Sequence, residues 1–142
     1  MLRDANKGGR GVWAIETGEG QVVGAIATTG CHRRRGTFKF SLALLPPHRR
    51  QGYGREAVYR VLHLYFCEKH YQKVTVSLPS YDEPAIRFLK ALGFHGEGHL
   101  RRVILLQGRF YDKLYYGMTA EEFERWERYE GIRRRQRSGE RP

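Results

Sequence analysis

A chain of 142 residues with 40% apolar content, nine tyrosines and seven phenylalanines has the core for one folded domain and is short for two. That composition excludes a disordered chain, and no apolar stretch approaches the ~20 residues of a membrane span. Lys and Arg number 26 against 15 Asp and Glu, a net charge of +11 that favours anionic partners: phosphates, acidic substrates or nucleic acid.

The elements follow in chain order. Met1–Gly9 lacks a hydrophobic signal core and reads, with residues 10 and 11, as an N-terminal tail. Val12–Glu16 and Gln21–Thr28 are β-prone and joined by Thr17-Gly18-Glu19-Gly20, a hairpin. A basic loop over 29–36 leads to a third strand, Thr37–Leu45. Gly54–Glu68 has helical spacing, with Ala57, Val58, Val61, Leu62 and Tyr65 on one face. Val74, Val76 and Leu78 alternate as a strand closed by Pro79. Asp82-Glu83-Pro84 opens a second helix that buries Ala85, Ile86, Leu89 and Leu92 and stops at Gly93. His99–Gln107, a turn at Gly108-Arg109 and Phe110–Met118 form a last hairpin, and Thr119 caps a helix from Ala120 to about Arg134. Beyond it lies a basic tail, so the organisation is a tail (1–11), a domain (12–118), and a helix with tail (119–142).

The most informative segment is Leu45-Pro46-Pro47-His48-Arg49-Arg50-Gln51-Gly52-Tyr53-Gly54-Arg55. A strand runs into a turn with two glycines one residue apart, and the turn opens directly into a helix. Glycine permits close approach of a ligand, and a helix N-terminus offers unpaired amides with partial positive charge. Arg49, Arg50 and Arg55 suit a polyanion, so the segment reads as a phosphate cradle. No Gly-Lys-Ser/Thr follows, which excludes a P-loop, and a dinucleotide fingerprint would need a third glycine.

Arg49-x-x-Gly52-x-Gly54 resembles the pyrophosphate loop of the GNAT acetyltransferases, and Asp82-Glu83-Pro84-Ala85 through Gly93-Phe94 is similar to their second signature, Asn-x-x-Ala-x-x-x-Tyr-x-x-x-Gly-Phe. Glu97-Gly98-His99-Leu100-Arg101 and Gly108-Arg109-Phe110-Tyr111-Asp112 resemble the final hairpin of the branch that acetylates ribosomal-protein N-termini and polyamines. The resemblance implies a mixed α/β fold with a mostly antiparallel sheet and two splayed parallel central strands. It implies acetyl-CoA as co-substrate, with backbone groups of Leu44 and Leu45 pairing with pantetheine and amides from Gln51, Gly52, Tyr53, Gly54 and Arg55 holding the pyrophosphate. Asp82 and Ala85 complete the implied coenzyme A site.

Two departures stand out. Family members begin with a strand and two helices before the first hairpin seen here, so the acceptor site is expected to be open, completed by a partner, or cut short. Leu89 stands where many members carry the tyrosine that protonates the departing thiolate. Ser80 and Tyr81 are the substitutes expected near the thioester. Glu16, His32, Tyr81 and Asp112 are the candidates for the base that frees the amine of its proton.

Cys31 and Cys67 are too few for a disulfide framework and fit a cytoplasmic protein. Cys31-His32 and Cys67-x-x-His70 are poor zinc spacings, with Cys67 expected on a helix's apolar side, so no metal is expected. No nucleic-acid module is present, so nucleic acid is not expected as the main partner. Phe123, Trp126 and Tyr129 form an aromatic stripe on the last helix, which points to a homodimer if a second copy covers it. Two functions fit: an N-acetyltransferase acting on a protein N-terminus, polyamine or small amine, or a catalytically weak module that binds coenzyme A or a protein partner.

Overall fold

A computed structural model describes residues 2–4 and 11–137, with side chains of the last helix described to residue 131. Much of the expected N-terminal tail, and the basic tail from residue 138, lie outside the described residues. The elements are β1 (Leu2–Asp4), β2 (Val12–Glu16), β3 (Val22–His32), β4 (Thr37–Leu44), α1 (Tyr53–His63), β5 (Lys73–Pro79), α2 (Glu83–Ala91), β6 (His95–Leu106), β7 (Arg109–Thr119) and α3 (Ala120–Arg137). The fold is mixed α/β: β4 and β5 pair in parallel, while β1–β2, β2–β3, β3–β4 and β6–β7 are antiparallel. No described helix is long and apolar enough to cross a membrane. The chain divides into two compact units, residues 1–76 and 77–142, with the boundary inside β5.

In the first unit the strand order is β1-β2-β3-β4-β5. Leu2–Asp4, expected as tail, pairs with Trp13–Ile15 of β2; three residues are too few to display an alternating pattern. β3 runs to His32, into the expected loop, because a bulge between Thr29 and His32 lets the ladder resume at His32↔Thr37. The helix following the glycine turn buries Ala57, Val58, Val61 and Leu62, as its spacing predicts. It does not continue regularly to Glu68. Residues Leu64–Glu68 form a wider π-type turn that carries Tyr65 and Phe66 inward. The extra residue in that turn rotates the face, leaving Cys67 exposed instead of on the apolar side.

Phe38 of β4 anchors this unit. Its ring stacks on Tyr65 with centroids 4.3 Å apart and meets Phe66 and Tyr71 edge-on, both at 5.6 Å. Deleting such a ring costs about 3–5 kcal/mol. Tyr65 is not left with an unsatisfied hydroxyl: Thr28 Oγ1 lies 2.6 Å away. Burial pushes the Tyr65 phenol up to about 12, with the Thr28 hydrogen bond opposing it in part.

In the second unit the end of β5, β7 and β6 follow in that order. The Asp82 carboxylate caps α2 by accepting from Ala85 N at 3.3 Å, and Pro84 sits in the first turn. Gly93, at φ +95°, ends the helix: its amide donates to the Lys90 carbonyl and that of Phe94 to Leu89. Leu89 and Leu92 are buried as expected, but Ala85 and Ile86 are half-exposed, since the apolar stripe is covered only from the second turn onward. β6 begins at His95, earlier than expected, and turns into β7 through Gln107 and Gly108, both left-handed, as a two-residue hairpin requires.

The last helix opens with reciprocal hydrogen bonds: Glu122 N donates to Thr119 Oγ1 at 3.2 Å and Thr119 N to Glu122 Oε1 at 3.0 Å. Phe123 and Trp126 are 1% and 9% exposed, so their own chain covers them. Of the stripe that suggested a homodimer, only Tyr129 remains exposed, and the helix does not offer the expected docking face.

Burial pushes the Glu122 carboxyl up, but the Thr119 hydrogen bonds and nearby His95 and Arg125 outweigh it and hold it below its ordinary value. Its stabilising contribution is therefore full above the ordinary carboxylate range and fades as pH falls through the lowered value. Thr119→Ala should cost about 1 kcal/mol in urea unfolding at neutral pH, and Glu122→Gln should flatten the loss of stability in acid. Unfolding curves that superimpose on those of the unaltered chain would contradict the cap.

Candidate active site

The first half of the site is built on the end of β4. Leu45 N donates to the Val23 carbonyl at 2.9 Å, and the Leu45 carbonyl accepts from His48 N at 2.9 Å. Alternate residues of a strand turn their amide and carbonyl to opposite edges, so Leu44 directs its backbone away from β3. Arg49 Nε reaches the Leu44 carbonyl at 3.2 Å on that outer side. Of the two residues expected to pair with pantetheine, Leu44 directs its backbone outward, its carbonyl also accepting from Arg49, whereas both Leu45 backbone groups are engaged by backbone partners. The described parallel ladder of β4 with β5 ends at Lys39↔Thr75, although β4 continues to Leu44.

A single 3₁₀ turn at Pro46–His48 then brings the chain to the basic segment. Arg50 has φ +63° and Gly52 φ +87°, two left-handed residues flanking Gln51. Nothing lies within 4 Å of a Cβ added at Gly52, so glycine is required there by conformation and not by space. Gly52 is the N-cap of α1, and no side chain caps it. The first backbone bond back to the cap is Glu56 N to the Gly52 carbonyl at 3.1 Å, so the helix itself does not pair the amides of Tyr53 and Gly54. Arg49, Arg50, Gln51 and Gly52 are exposed at this end, Arg55 is half-exposed, and Gly54 is buried. The Gln51 side chain holds the turn by donating to the Pro47 carbonyl at 3.1 Å. The first amides of α1, the aligned peptide dipoles and the adjacent guanidinium groups give this end a positive potential.

Glu16, a candidate base in the first unit, ends β2, where its carboxylate meets Arg3 Nε at 2.8 Å. The Arg3 guanidinium thus occupies one oxygen of this carboxylate. His32 lies exposed at the end of β3.

The second unit groups Ser80, Tyr81 and Asp112. Ser80 and Asp112 are tied twice: Ser80 N donates to the Asp112 carbonyl at 2.9 Å, and Asp112 N donates to Ser80 Oγ at 3.1 Å. Tyr81 is 45% exposed, its ring edge-on to Tyr111 at 4.8 Å. Asp82 is occupied in capping Ala85. The Asp112 carboxylate is also committed: Oδ2 meets His99 Nε2 at 2.5 Å, and Oδ1 accepts from Arg102 N at 2.9 Å. These bonds, the His99 one foremost, hold the Asp112 carboxyl below its usual range. Sequence reading missed His99, because its meeting with Asp112 depends on the bulge between Leu100 and Ile104 that turns Arg102 to φ +57°. Leu89, in place of the family tyrosine, is a buried core residue.

Known proteins resemble this chain in sequence and in fold. The family model described as the acetyltransferase (GNAT) family matches residues 2–94. The SPbeta prophage-derived uncharacterized N-acetyltransferase YokL of Bacillus subtilis (strain 168) is 42% identical over 111 residues, 78% of this chain and 62% of YokL. The uncharacterized N-acetyltransferase YnaD of the same organism is 24% identical over 87 residues, 61% of this chain and 51% of YnaD. The chain thus spans less than two thirds of either relative. In fold it resembles the spermidine N-acetyltransferase of Vibrio cholerae solved in complex with CoA and spermine, with TM-score 0.74 and 19% identity over 79% of this chain and 66% of that one. The family model covers residues 2–94, most of the sequence, and YokL is 42% identical over 78% of it: the chain belongs to the GNAT acetyltransferases.

Proposed function

We propose that this protein transfers an acetyl group from acetyl-CoA to the primary amine of an acceptor, by direct attack in a ternary complex. The observation that carries the reading is the start of α1, where uncapped amides follow a doubly left-handed turn flanked by Arg49, Arg50 and Arg55. In this role the amides of Gln51 to Arg55 hold the pyrophosphate, and the arginines draw its charge in from solution. Leu44 offers its outward amide and carbonyl to the pantetheine amides, which are matched in polarity. The amides of β5 are the donors nearest in the sequence to Ser80 and Tyr81 for the oxyanion of the tetrahedral intermediate. Tyr81, with its exposed hydroxyl, is the group suited to return a proton to the thiolate.

A protein N-terminus, a polyamine and a small amine remain the acceptor classes; the Vibrio cholerae enzyme, bound to CoA and spermine, supports the amine class. The buried Leu89 favours a second reading, a module that binds coenzyme A without turnover.

Thiol release from acetyl-CoA, followed over spermidine, a small primary amine and a peptide with a free N-terminus, separates the two. Turnover with any of them supports transfer; coenzyme A binding with no release above the uncatalysed rate would establish the module instead.

The turn itself is tested at Gly52. Gly52→Asp sets a carboxylate beside the anion site, and Gly52→Asn, which strains the left-handed turn alike but carries no charge, is its control. Coenzyme A affinity by calorimetry should be lower for Gly52→Asp than for Gly52→Asn by about tenfold or more, equivalent to about 1.4 kcal/mol. Unchanged affinity would place the phosphate site elsewhere.

A further inference from the structure

The second unit ends in an open sheet edge. β6 is last in the strand order, and among the described residues no strand pairs with its outer side. At the tip of the hairpin Leu106 faces Arg109 and Leu105 faces Phe110 across the turn at Gln107 and Gly108. In a two-residue hairpin the residues flanking the turn exchange the closing hydrogen bonds, so Leu106 directs its amide and carbonyl toward Arg109. Leu105, one residue earlier, directs both to the outer edge. The bulge between Leu100 and Ile104 limits this regular edge to a short run.

The side chains along that run are apolar and uncovered. Val103, Ile104, Leu105 and Leu106 follow one another with no charge or proline to blunt the edge. Leu105 is 64% exposed and Phe110 54%, and as an opposed pair they share one face of the hairpin. The Arg102 guanidinium stands 5.0 Å over the Phe110 ring, so a cation adjoins the apolar pair.

Charge decides which partner fits. Residues 100–110 carry Arg101, Arg102 and Arg109 and no carboxylate. The adjoining open cleft is lined by His99, Leu100, Arg101, Arg102 and Asp112. Both oxygens of its one carboxylate already hold donors, Oδ2 the His99 ring and Oδ1 the Arg102 amide. A second copy would set the same three arginines against themselves, and like charges across a strand pair destabilise it. A lipid surface would match the charge but leave the outward Leu105 amide and carbonyl without partners. An extended acidic peptide meets all three requirements. Its backbone pairs with the edge, its apolar side chains cover Leu105 and Phe110, and its carboxylates meet the guanidinium groups.

We propose that the edge of β6 at residues 103–106 binds an extended acidic and apolar peptide segment as an added strand. The site lies wholly within the second unit and does not depend on the acetyl-transfer reading.

The test uses the full chain and a capped, fluorescein-labelled peptide of alternating glutamate and valine, followed by fluorescence anisotropy. Saturable binding is expected, and it should weaken as salt is raised. Two altered peptides separate the contributions without touching the protein. Lysine in place of glutamate reverses the charge, and methylation of the peptide's backbone nitrogens keeps every side chain but removes the donors. Each should bind about tenfold more weakly or worse. Arg101→Glu and Arg109→Glu should weaken binding by a similar factor at unchanged melting temperature. Hydrogen exchange of the Leu105 amide in the unaltered protein should slow when the peptide binds.

No saturable binding, or equal binding of the lysine or methylated peptide, would overturn the proposal. Slowed exchange at the start of α1 with Leu105 unaffected would do the same. A dimer by light scattering that Leu105→Lys dissociates would assign the edge to a second copy instead. Sedimentation with vesicles of phosphatidylserine and phosphatidylcholine, in the absence of peptide binding, would assign it to a lipid surface.

Discussion

The hydrogen bond from Leu45 N to the Val23 carbonyl is the constraint from which the rest of the coenzyme A side follows. It fixes the parity of β4 at its last residues, so that Leu44 turns its backbone outward. It also ends the strand where Pro46 and Pro47 begin the turn, and a proline cannot donate to a continuing ladder. From there the chain needs left-handed backbone at Arg50 and Gly52 to enter α1 with its first amides uncovered. Phe38, clamped among Tyr65, Phe66 and Tyr71, holds the other end of the same strand, so the turn is mounted on an anchored element.

The charge of the chain acts through this geometry. A net charge of +11 by itself gives only a general attraction to anions, weakened by salt. Three arginines beside the first amides of α1 concentrate part of it at one end of that helix. On the second unit, the same excess of arginine surrounds a carboxylate that is wholly committed to His99 and to one amide.

What could be read from the sequence was local. The glycine spacing, the apolar face of α1, Asp82 as a cap and Gly93 as a stop all depend on residues within a few positions of each other, where steric and hydrogen-bond rules act directly. Three kinds of feature were not legible. The three residues of β1 carry no period. The π-type turn after His63 looks like continuing helix and changes only which residues face inward, as Cys67 shows. The His99–Asp112 contact joins two strands across a bulge, and nothing in the spacing of β6 announces the residues that bulge outward. The distinction between Leu44 and Leu45 belongs to the same class, because strand parity is set by the pairing partner, not by the strand's own sequence.

Backbone amide resonances followed during titration with coenzyme A test the central claim most directly. The account places the largest displacements at Gln51, Gly52, Tyr53, Gly54 and Arg55, with Leu44 also moving, and expects them to diminish as salt is raised. Saturable binding whose largest displacements fall on other residues, with the Gln51–Arg55 amides unmoved, would contradict it.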